Sequence, residues 1–322
     1  MKTNSAPKNK LFKALNISFC LLFIVVCVFF GACSSNKEKT TESQVISNSA
    51  TFIHLSLDDV EICLNNLKQN KYSSVWDEPL LAFLKKLHKN YNAKFSLYTY
   101  NSTLSEINSS YSKELKTSNS WLKFGLHAND SKSNFENSTY DEAKNSWNTF
   151  CSSIVTLTGT YLSIDRIPRL HYFAGNEQAL KGMKDALYGA LGFLSADDNR
   201  NSYYFTSEQS AYLYDNDYIK KDDLVFISTD MRGDWFKNNY SQSGTYKKPI
   251  KSSVYSELEY RYSDFSFSDS VNSFIFFAHE WQFYNGTTVS NEGEKWFTDI
   301  CKFANDNGIN IDYAQNRLYS YV

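Results

Sequence analysis

Five short segments of this 322-residue chain carry most of the side chains suited to hydrolytic chemistry. They contain two adjacent aspartates and three of the chain's five histidines, and each stands at or just after the end of an apolar run. Carboxylates and imidazoles in one site can bind a cation and transfer protons, so the set predicts a metal-assisted hydrolase. In order they are LSLDD (Leu55–Asp59), FGLH (Phe124–His127), RIPRLH (Arg166–His171), TDMRGDW (Thr229–Trp235) and FFAHE (Phe276–Glu280).

Each segment also has a purely structural interpretation. Asp58 and Asp59 can both reach one cavity beyond a strand end, where one binds a cation and the other accepts a proton, yet aspartate also caps helices. Arg166 suits a bidentate pair with a carboxylate or a structural ion pair. Asp234 can orient a histidine, and the neighbouring Trp235 can wall a pocket. The evidence for a catalytic site comes from the order of the segments along the chain and not from any one segment.

These segments can meet only if strands bring them together, and eight short apolar runs in the sequence predict such strands. The runs are Phe52–Leu57, Lys94–Thr99, Leu122–Leu126, Leu162–Ile167, Gly192–Ser195, Leu224–Ser228, Ser273–Ala278 and Gly308–Asp312.

Helical patterns separate the strands, whereas Tyr203–Tyr218 suggests a strand pair or a long loop. The predicted helices are Pro79–Asn90, Leu104–Lys116, Tyr140–Leu157, Asn176–Leu187 and Glu292–Asn307.

The alternation of strands and helices predicts an α/β fold with parallel strands and crossover helices. The strand number favours a distorted (β/α) barrel of seven or eight strands in a single domain, residues 51–322. In a barrel the loops after the strands form the active face, and all five segments fall there.

The N-terminus is predicted to be a targeting segment. Basic residues precede the apolar run Leu15–Phe30, and small residues then precede Cys33. This pattern resembles a lipoprotein signal peptide over 1–32, with lipidation of Cys33 and a flexible tether over 33–50. An ordinary signal peptide or a single membrane span are the alternatives. All three place the domain outside the cytoplasm, and lipidation makes the membrane a partner through the N-terminal anchor.

Net charge, hydropathy and cysteine spacing argue against a nucleic-acid partner and against a zinc site built from cysteines. The formal net charge is -2 and the mean hydropathy is -0.46, so a soluble domain without a nucleic-acid partner is expected. Cys63, Cys151 and Cys301 show no zinc-ligand spacing and are expected to be buried thiols.

The order Asp-Asp, Gly-x-His, Arg-x-Pro, Asp-Trp and apolar-His resembles the five motifs of the polysaccharide deacetylase family (NodB-like, carbohydrate esterase family 4). The resemblance covers roughly residues 51–315. It implies a distorted (β/α) barrel and removal of N- or O-acetyl groups from a polysaccharide substrate, with a divalent metal, usually zinc.

The resemblance also implies a role for each matching residue. It makes Asp58 the catalytic base, Asp59 and His127 metal ligands, and Arg166 the partner of the base. Asp234 and Trp235 match the motif that tunes the acid and lines the pocket, and His279 matches the catalytic acid.

The chain departs from the family pattern at the third metal ligand. The family has a second histidine four residues after the first, where this chain has Ser131. Val60 stands in place of a glycine, and Arg169 and Leu170 in place of an aromatic residue and a glycine. We expect His171 to supply the missing imidazole; Asp130 or water are the alternatives. Asp198 is a further candidate for substrate binding.

Three functions follow as hypotheses. The first is a metal-dependent polysaccharide deacetylase of the cell envelope. The second is a catalytically inactive glycan-binding lipoprotein on the same fold. The third is a glycoside hydrolase using a carboxylate pair, which needs carboxyl groups roughly 5–10 Å apart. Its candidate carboxylates are Asp58, Asp59, Asp197, Asp198 and Glu280.

Overall fold

The computed structural model describes residues 52–69, 71–198, 200–236, 251–264 and 273–321. The predicted signal peptide 1–32, the lipidation site Cys33 and the tether 33–50 lie outside the described residues. Within the described ranges, no helix has the length and apolar character needed to cross a membrane.

Most of the strands are short and strongly buried. Among the longer strands, β1, β2 and β3 are buried at every position and β8 at all but its last, as expected for parallel strands covered on both faces. The strands are β1 Phe52–Asp58, β2 Phe95–Tyr100, β3 Leu122–Ala128, β4 Gly192–Leu194, β5 Tyr218–Lys221, β6 Leu224–Ile227, β7 Met231–Arg232, β8 Ser273–His279, β9 Tyr284–Asn285, β10 Thr288–Val289 and β11 Asn310–Ile311.

A six-stranded parallel sheet forms the centre of the fold. Its order is β3-β2-β1-β8-β7, and β11 pairs with the first residues of β1. A second sheet has the order β4-β6-β5, in which β4 and β6 are parallel and β5 is antiparallel. Strands β9 and β10 form a small antiparallel hairpin. The predicted α/β class with a parallel sheet is therefore confirmed.

Residues 164–168 connect the two larger sheets. The Asp165 N–H donates to the Phe124 carbonyl of β3 at 2.7 Å, and the Leu194 N–H of β4 donates to the Pro168 carbonyl at 2.9 Å. On the other side, β6 leads along the chain into β7, which pairs with β8. Backbone contacts thus run through β1, β2, β3, 164–168, β4, β6 with β7, and β8, which pairs with β1. This circuit is that of a distorted (β/α) barrel.

Helices cover the outside of the barrel. The helices are α1 Ile62–Lys68, α2 Pro79–Tyr91, α3 Asn101–Leu104, α4 Ser112–Lys116, α5 Tyr140–Thr158, α6 Glu177–Lys184, α7 Ser207–Asp215, α8 Val254–Asp264 and α9 Asn291–Asp306. Short 3₁₀ turns occur at Val75–Asp77, Tyr161–Ser163, His171–Phe173, Gly233–Phe236, Glu280–Phe283 and Ala314–Tyr321.

Helix α5 shows how local signals fix an element. Thr139 and Glu142 form a reciprocal capping box at its start, and Gly159 ends it with a left-handed φ of 70°. The apolar face, which includes Trp147, Phe150 and Ile154, is fully buried against the rest of the core.

Three predicted elements are wrong. The expected helix Leu104–Lys116 is not continuous, since α3 ends at Leu104 and α4 covers only Ser112–Lys116. The expected strand Leu162–Ile167 begins as a 3₁₀ turn because the Thr160 hydroxyl accepts the Leu162 N–H, and only Ile164 bridges to β3. The expected strand pair within Tyr203–Tyr218 is largely helix α7, which a Thr206–Gln209 capping box starts. In the last two cases a side-chain cap overrode the pattern read from the sequence.

Candidate metal centre and active site

A cavity of about 350 Å³ opens at the carboxyl ends of the central strands. All five sequence segments contribute to its wall, and the segment Thr229–Trp235 does so through Arg232. The lining residues are Asp58, Asp59, His127, Arg169, Leu170, His171, Tyr172, Phe173, Arg200, Arg232, Phe277 and His279.

Asp59, His127 and His171 form a cluster suited to a divalent cation. Their ligand atoms all lie within 4.8 Å of one another, and His127 Nε2 is 3.4 Å from Asp59 Oδ1. Metal–ligand bonds of about 2.1 Å in tetrahedral geometry give ligand–ligand edges of about 3.4 Å. His171 therefore stands where the sequence lacked a third ligand.

Backbone carbonyls fix the orientation of both histidine rings. His127 Nδ1 lies 2.6 Å from the Arg169 carbonyl oxygen, and His171 Nδ1 lies 2.9 Å from that of Ser133. A carbonyl only accepts, so each Nδ1 carries a proton, and in the neutral form of either ring the lone pair is on Nε2. Metal-binding histidines in proteins are held in this way by a partner on the other ring nitrogen.

Charge within the cluster favours a cation. Burial opposes ionisation of Asp59, but the hydrogen bond and positive charge of His127, and then the Tyr100 hydroxyl, hold the pKa of Asp59 well below its usual range. Burial and the nearby His127 lower the pKa of His171, which keeps it in the neutral form that binds metals.

Asp59 adopts a backbone conformation that is uncommon outside glycine. Its φ is 57°, in the left-handed region, and the Tyr100 hydroxyl donates to its Oδ1. Aspartate tolerates this region better than most residues, at a modest free-energy cost. The turn places the Asp59 carboxylate beside the imidazoles, whereas Asp58 stays in β1.

Asp58 is paired with Arg169. The Arg169 guanidinium donates to Asp58 Oδ1 at 3.0 Å, to the Ser56 hydroxyl at 3.0 Å and to the Thr229 hydroxyl at 3.3 Å. The guanidinium also lies over the Phe277 ring, 4.2 Å from its centroid. Both charged side chains are almost fully buried, so the carboxylate is held in one orientation.

The prediction that Arg166 pairs with Asp58 is therefore wrong. Arg166 Nε donates to the Gly189 carbonyl at 2.8 Å, away from the cavity. The segment runs alongside β4 as far as Pro168, beyond the strand end assumed from the sequence. The position at the mouth of the barrel consequently falls three residues later, on Arg169.

His279 lies opposite Asp58 in the pairing of β8 with β1. Its Nδ1 is 3.5 Å from Asp234 Oδ2, and its Nε2 faces Asp59 Oδ2 at 3.9 Å. Burial alone lowers the pKa of His279, but the Asp234 carboxylate beside its Nδ1 and the charges of Asp58 and Asp59 outweigh it and raise the pKa. Asp234 thus occupies the orienting position that the sequence predicted.

Two other predicted contacts do not form in this structure. Trp235 is 9% exposed, packs in the hydrophobic core and is not part of the cavity wall. The Asp198 carboxylate is taken up by Arg200, whose Nε donates to both oxygens at 2.8 Å. The arginine lines the cavity in its place.

Several residues at the site were missed by sequence reasoning. Arg232 makes a two-point hydrogen bond to the buried Asp197, and its place in the Asp-Trp segment was the available signal. Tyr172 is 60% exposed and stacks on His171 with ring centroids 3.8 Å apart. Trp281 is 52% exposed and stacks on His279 at 5.7 Å.

The alternative third ligand, Asp130, is engaged elsewhere. It is exposed, and its Oδ1 accepts the Lys132 N–H at 2.8 Å within a local turn. Ser131 is likewise exposed. Neither belongs to the ligand cluster found among the described residues.

Neither a protein-family model nor a characterised protein matches this sequence. Among solved structures, the chain is similar to one described as a "putative polysaccharide deacetylase from Mycobacterium smegmatis". The TM-score is 0.45 and the identity is 9%, over 85% of this chain and 91% of that one. At this level of similarity, any functional assignment has to rest on the residues of the site.

Proposed function

We propose that this protein is a divalent-metal-dependent hydrolase that removes acetyl groups from a cell-envelope or extracellular polysaccharide. The observation that carries the proposal is the Asp59–His127–His171 cluster, with ligand atoms within 4.8 Å of one another. An ion-paired carboxylate and a carboxylate-bound imidazole flank it. The sequence resemblance supports acetylated glycan as the substrate class, and exposed Tyr172 and Trp281 suit sugar rings.

Asp59, His127 and His171 would hold the cation, and zinc fits a ligand set of two imidazoles and one carboxylate. A divalent cation in such a site acts as a Lewis acid toward an acyl carbonyl. Asp58, fixed by Arg169, would accept the proton of the attacking water. His279, with Asp234 on its Nδ1, would donate a proton from Nε2 to the leaving nitrogen or oxygen.

The two competing functions have less support. In a paired-acid glycosidase two carboxyl groups must be available to the substrate. Of its candidates, Asp197 and Asp198 are ion-paired with arginines, and Glu280 is bound to backbone N–H groups. That leaves Asp58 and Asp59, and Asp59 belongs to the ligand cluster. A binding protein without catalysis has no need of oriented Nε2 atoms around one point, so the ligand cluster favours the enzyme.

The direct test is acetate release by the purified protein from N-acetylated and O-acetylated glycans, assayed separately. We expect release from one class, loss of activity with a chelator and recovery with Zn²⁺. Glycan binding without acetate release by the zinc-loaded protein would reject the enzyme and favour the binding protein. Release of reducing sugar ends instead of acetate would favour the glycosidase.

Replacing Asp58 with asparagine removes the proposed base but leaves all three ligands. We expect acetate release to fall by about 10²–10⁴-fold, the usual contribution of general acid–base catalysis. Metal affinity should stay within a few-fold of wild type, measured by competition with a chelating dye. Equal loss of metal binding would show that Asp58 acts in the ligand set and not as the base.

Replacing Asp234 with asparagine tests the acid. Because the pKa of His279 is raised, its imidazolium persists to higher pH than a free imidazole does, and kcat/KM should fall as pH rises through that pKa. Without the Asp234 charge the pKa drops, so this fall should move to lower pH. The pH–rate profile and an NMR titration of the His279 ring measure the shift; coincident wild-type and variant curves would contradict it.

The proposal also includes lipidation of Cys33, which would anchor the protein to the membrane outside the cytoplasm. The support is the sequence pattern of residues 1–33. Mass spectrometry of the mature N-terminus, with Cys33→Ala as control, tests lipidation directly. An unmodified Cys33 in the membrane fraction would favour a membrane span, and a mature chain in the soluble fraction would favour an ordinary signal peptide.

A further inference from the structure

Glu280 is a buried carboxylate to which the proposed chemistry assigns no part. Its side chain is fully buried, and it directly follows His279 at the end of β8. Its Oε2 accepts the N–H groups of Glu61 at 2.7 Å and Ile62 at 2.6 Å, and its Oε1 accepts that of Cys63 at 2.8 Å. These donors lie 217 to 219 residues earlier in the chain.

The three donors are the first turn of helix α1, which otherwise lacks a cap. Glu61 occupies the N-cap position but makes no capping hydrogen bond with its own side chain. The first N–H groups of a helix have no partner within the helix, and a negative charge there is favoured. Glu280 thus acts as the cap of α1 from the end of the neighbouring strand β8.

The N–H groups that Glu280 binds come directly after the turn that carries the proposed ligand Asp59. Asp59 has a left-handed φ, and φ is negative again over the next two residues. Strand β2 fixes the turn at Val60, whose N–H donates to the Tyr98 carbonyl at 3.0 Å and whose carbonyl accepts the Thr99 hydroxyl at 2.6 Å. Glu280 fixes it on the other side, so both flanks of the turn after Asp59 are tied down.

The 3₁₀ turn that begins with Glu280 also holds the proposed acid, His279. The His279 N–H donates to Gln282 Oε1 at 2.9 Å, and Glu280 lies between these residues. One carboxylate therefore joins the turn that bears the acid to the turn that bears the metal-binding aspartate. If one of these turns is displaced, the hydrogen bonds of Glu280 pass the displacement on to the other.

We infer that Glu280 is a positioning residue, which holds Asp59 in the conformation needed for metal binding. The inference rests on the proposed function, since it takes the Asp59–His127–His171 cluster to be a metal site. Partners of metal ligands in other proteins typically change metal affinity by about 10–100-fold when they are mutated. A residue that merely stabilised the fold would lower stability without that change in affinity.

Glu280→Gln is the informative variant because it keeps the side-chain size. Its amide supplies one oxygen for three N–H groups and turns an NH₂ donor toward the others. Glu257→Gln is the matched control. Glu257 is also fully buried and accepts a backbone N–H, that of Lys251, but it lies on α8 and also binds Arg261.

The first measurement is Zn²⁺ and Co²⁺ affinity of the full chain by chelator competition. We expect Glu280→Gln to raise the metal Kd by about 10–100-fold and Glu257→Gln to leave it within about two-fold. The second measurement is amide hydrogen exchange of the metal-free protein. Exchange in residues 59–64 should accelerate in Glu280→Gln, with the central strands still protected.

The outcomes separate this inference from the proposed function. If wild type binds no divalent metal, the proposed function fails, and hydrogen exchange alone decides whether Glu280 holds the turn. If Glu280→Gln binds metal like wild type, or the turn exchanges no faster, the positioning role is wrong. Should Glu280→Gln not fold, Glu280→Asp replaces it in the same measurements; global unfolding of both variants would assign Glu280 to overall stability and overturn the inference.

Discussion

Replacing Arg169 with glutamine is expected to reduce both activity and stability, whereas the same change at Arg166 should have little effect on either. The Arg169 guanidinium is the buried partner of Asp58 and also binds Ser56 and Thr229. Removing one member of a buried ion pair typically destabilises a protein by about 3–5 kcal/mol. Without its partner the proposed base loses its fixed orientation, so kcat/KM should fall by about 10²–10⁴-fold.

Arg166→Gln is the matched control for this prediction. It removes one hydrogen bond, to the Gly189 carbonyl, which is worth about 1 kcal/mol. Urea unfolding and acetate release measure the two effects, with activity assayed at a temperature where both variants are folded. If Arg166→Gln proved the more damaging substitution, the assignment of the Asp58 partner would return to the one predicted from the sequence.

Replacing His171 with alanine is expected to remove most of the metal affinity. Apparent zinc-binding free energies of about 10–16 kcal/mol are shared among three or four ligands, so losing one should weaken binding by roughly 10²–10⁴-fold. The proposed acetate release should fall with it at limiting metal. The fold should persist, because His171 is half-buried and its ring bonds to only one backbone carbonyl.

Asp130→Ala and Ser131→Ala are the controls for His171. Both residues are exposed and outside the ligand cluster, so metal affinity should stay within about two-fold of wild type in each. Isothermal titration of the metal-free proteins with Zn²⁺ gives the comparison. Retained affinity in His171→Ala together with a loss in Asp130→Ala would place the third ligand on the loop after β3.

Local sequence signals predicted much of the fold. Apolar runs identified seven of the eight strand candidates to within a few residues, as β1 and β3 illustrate. Thr139, Glu142 and Gly159 marked the ends of α5. Such signals work because strand burial and helix capping depend on neighbours along the chain. They failed at Leu162–Ile167 and within Tyr203–Tyr218, where a hydroxyl cap outweighed the apolar pattern.

Position at strand ends also predicted part of the site. Asp58, Asp59, His127 and His279 end β1, β3 and β8 or follow them directly, and parallel strands bring their carboxyl ends to one edge. His171 was predicted from a loop on the same face, and it joins the cluster. For these residues the strand that carries them already determines where they meet.

Tertiary structure decided the contacts made by irregular backbone. Arg166 and Arg169 are three residues apart, and only the path of residues 164–168 alongside β4 determines which of them reaches Asp58. Similarly, Trp235 packs in the core, and the Asp198 carboxylate accepts a hydrogen bond from Arg200. Glu280 caps a helix more than 200 residues away, a contact with no local signal.

The sequence by itself thus determined that two aspartates and three histidines lie at the mouth of the barrel. The structure decided how those groups pair. The physical reason is the range of the forces involved. Secondary structure follows from periodicity and capping within a few residues, whereas an ion pair or a ligand set depends on side-chain atoms placed to within about 1 Å by packing of the whole domain.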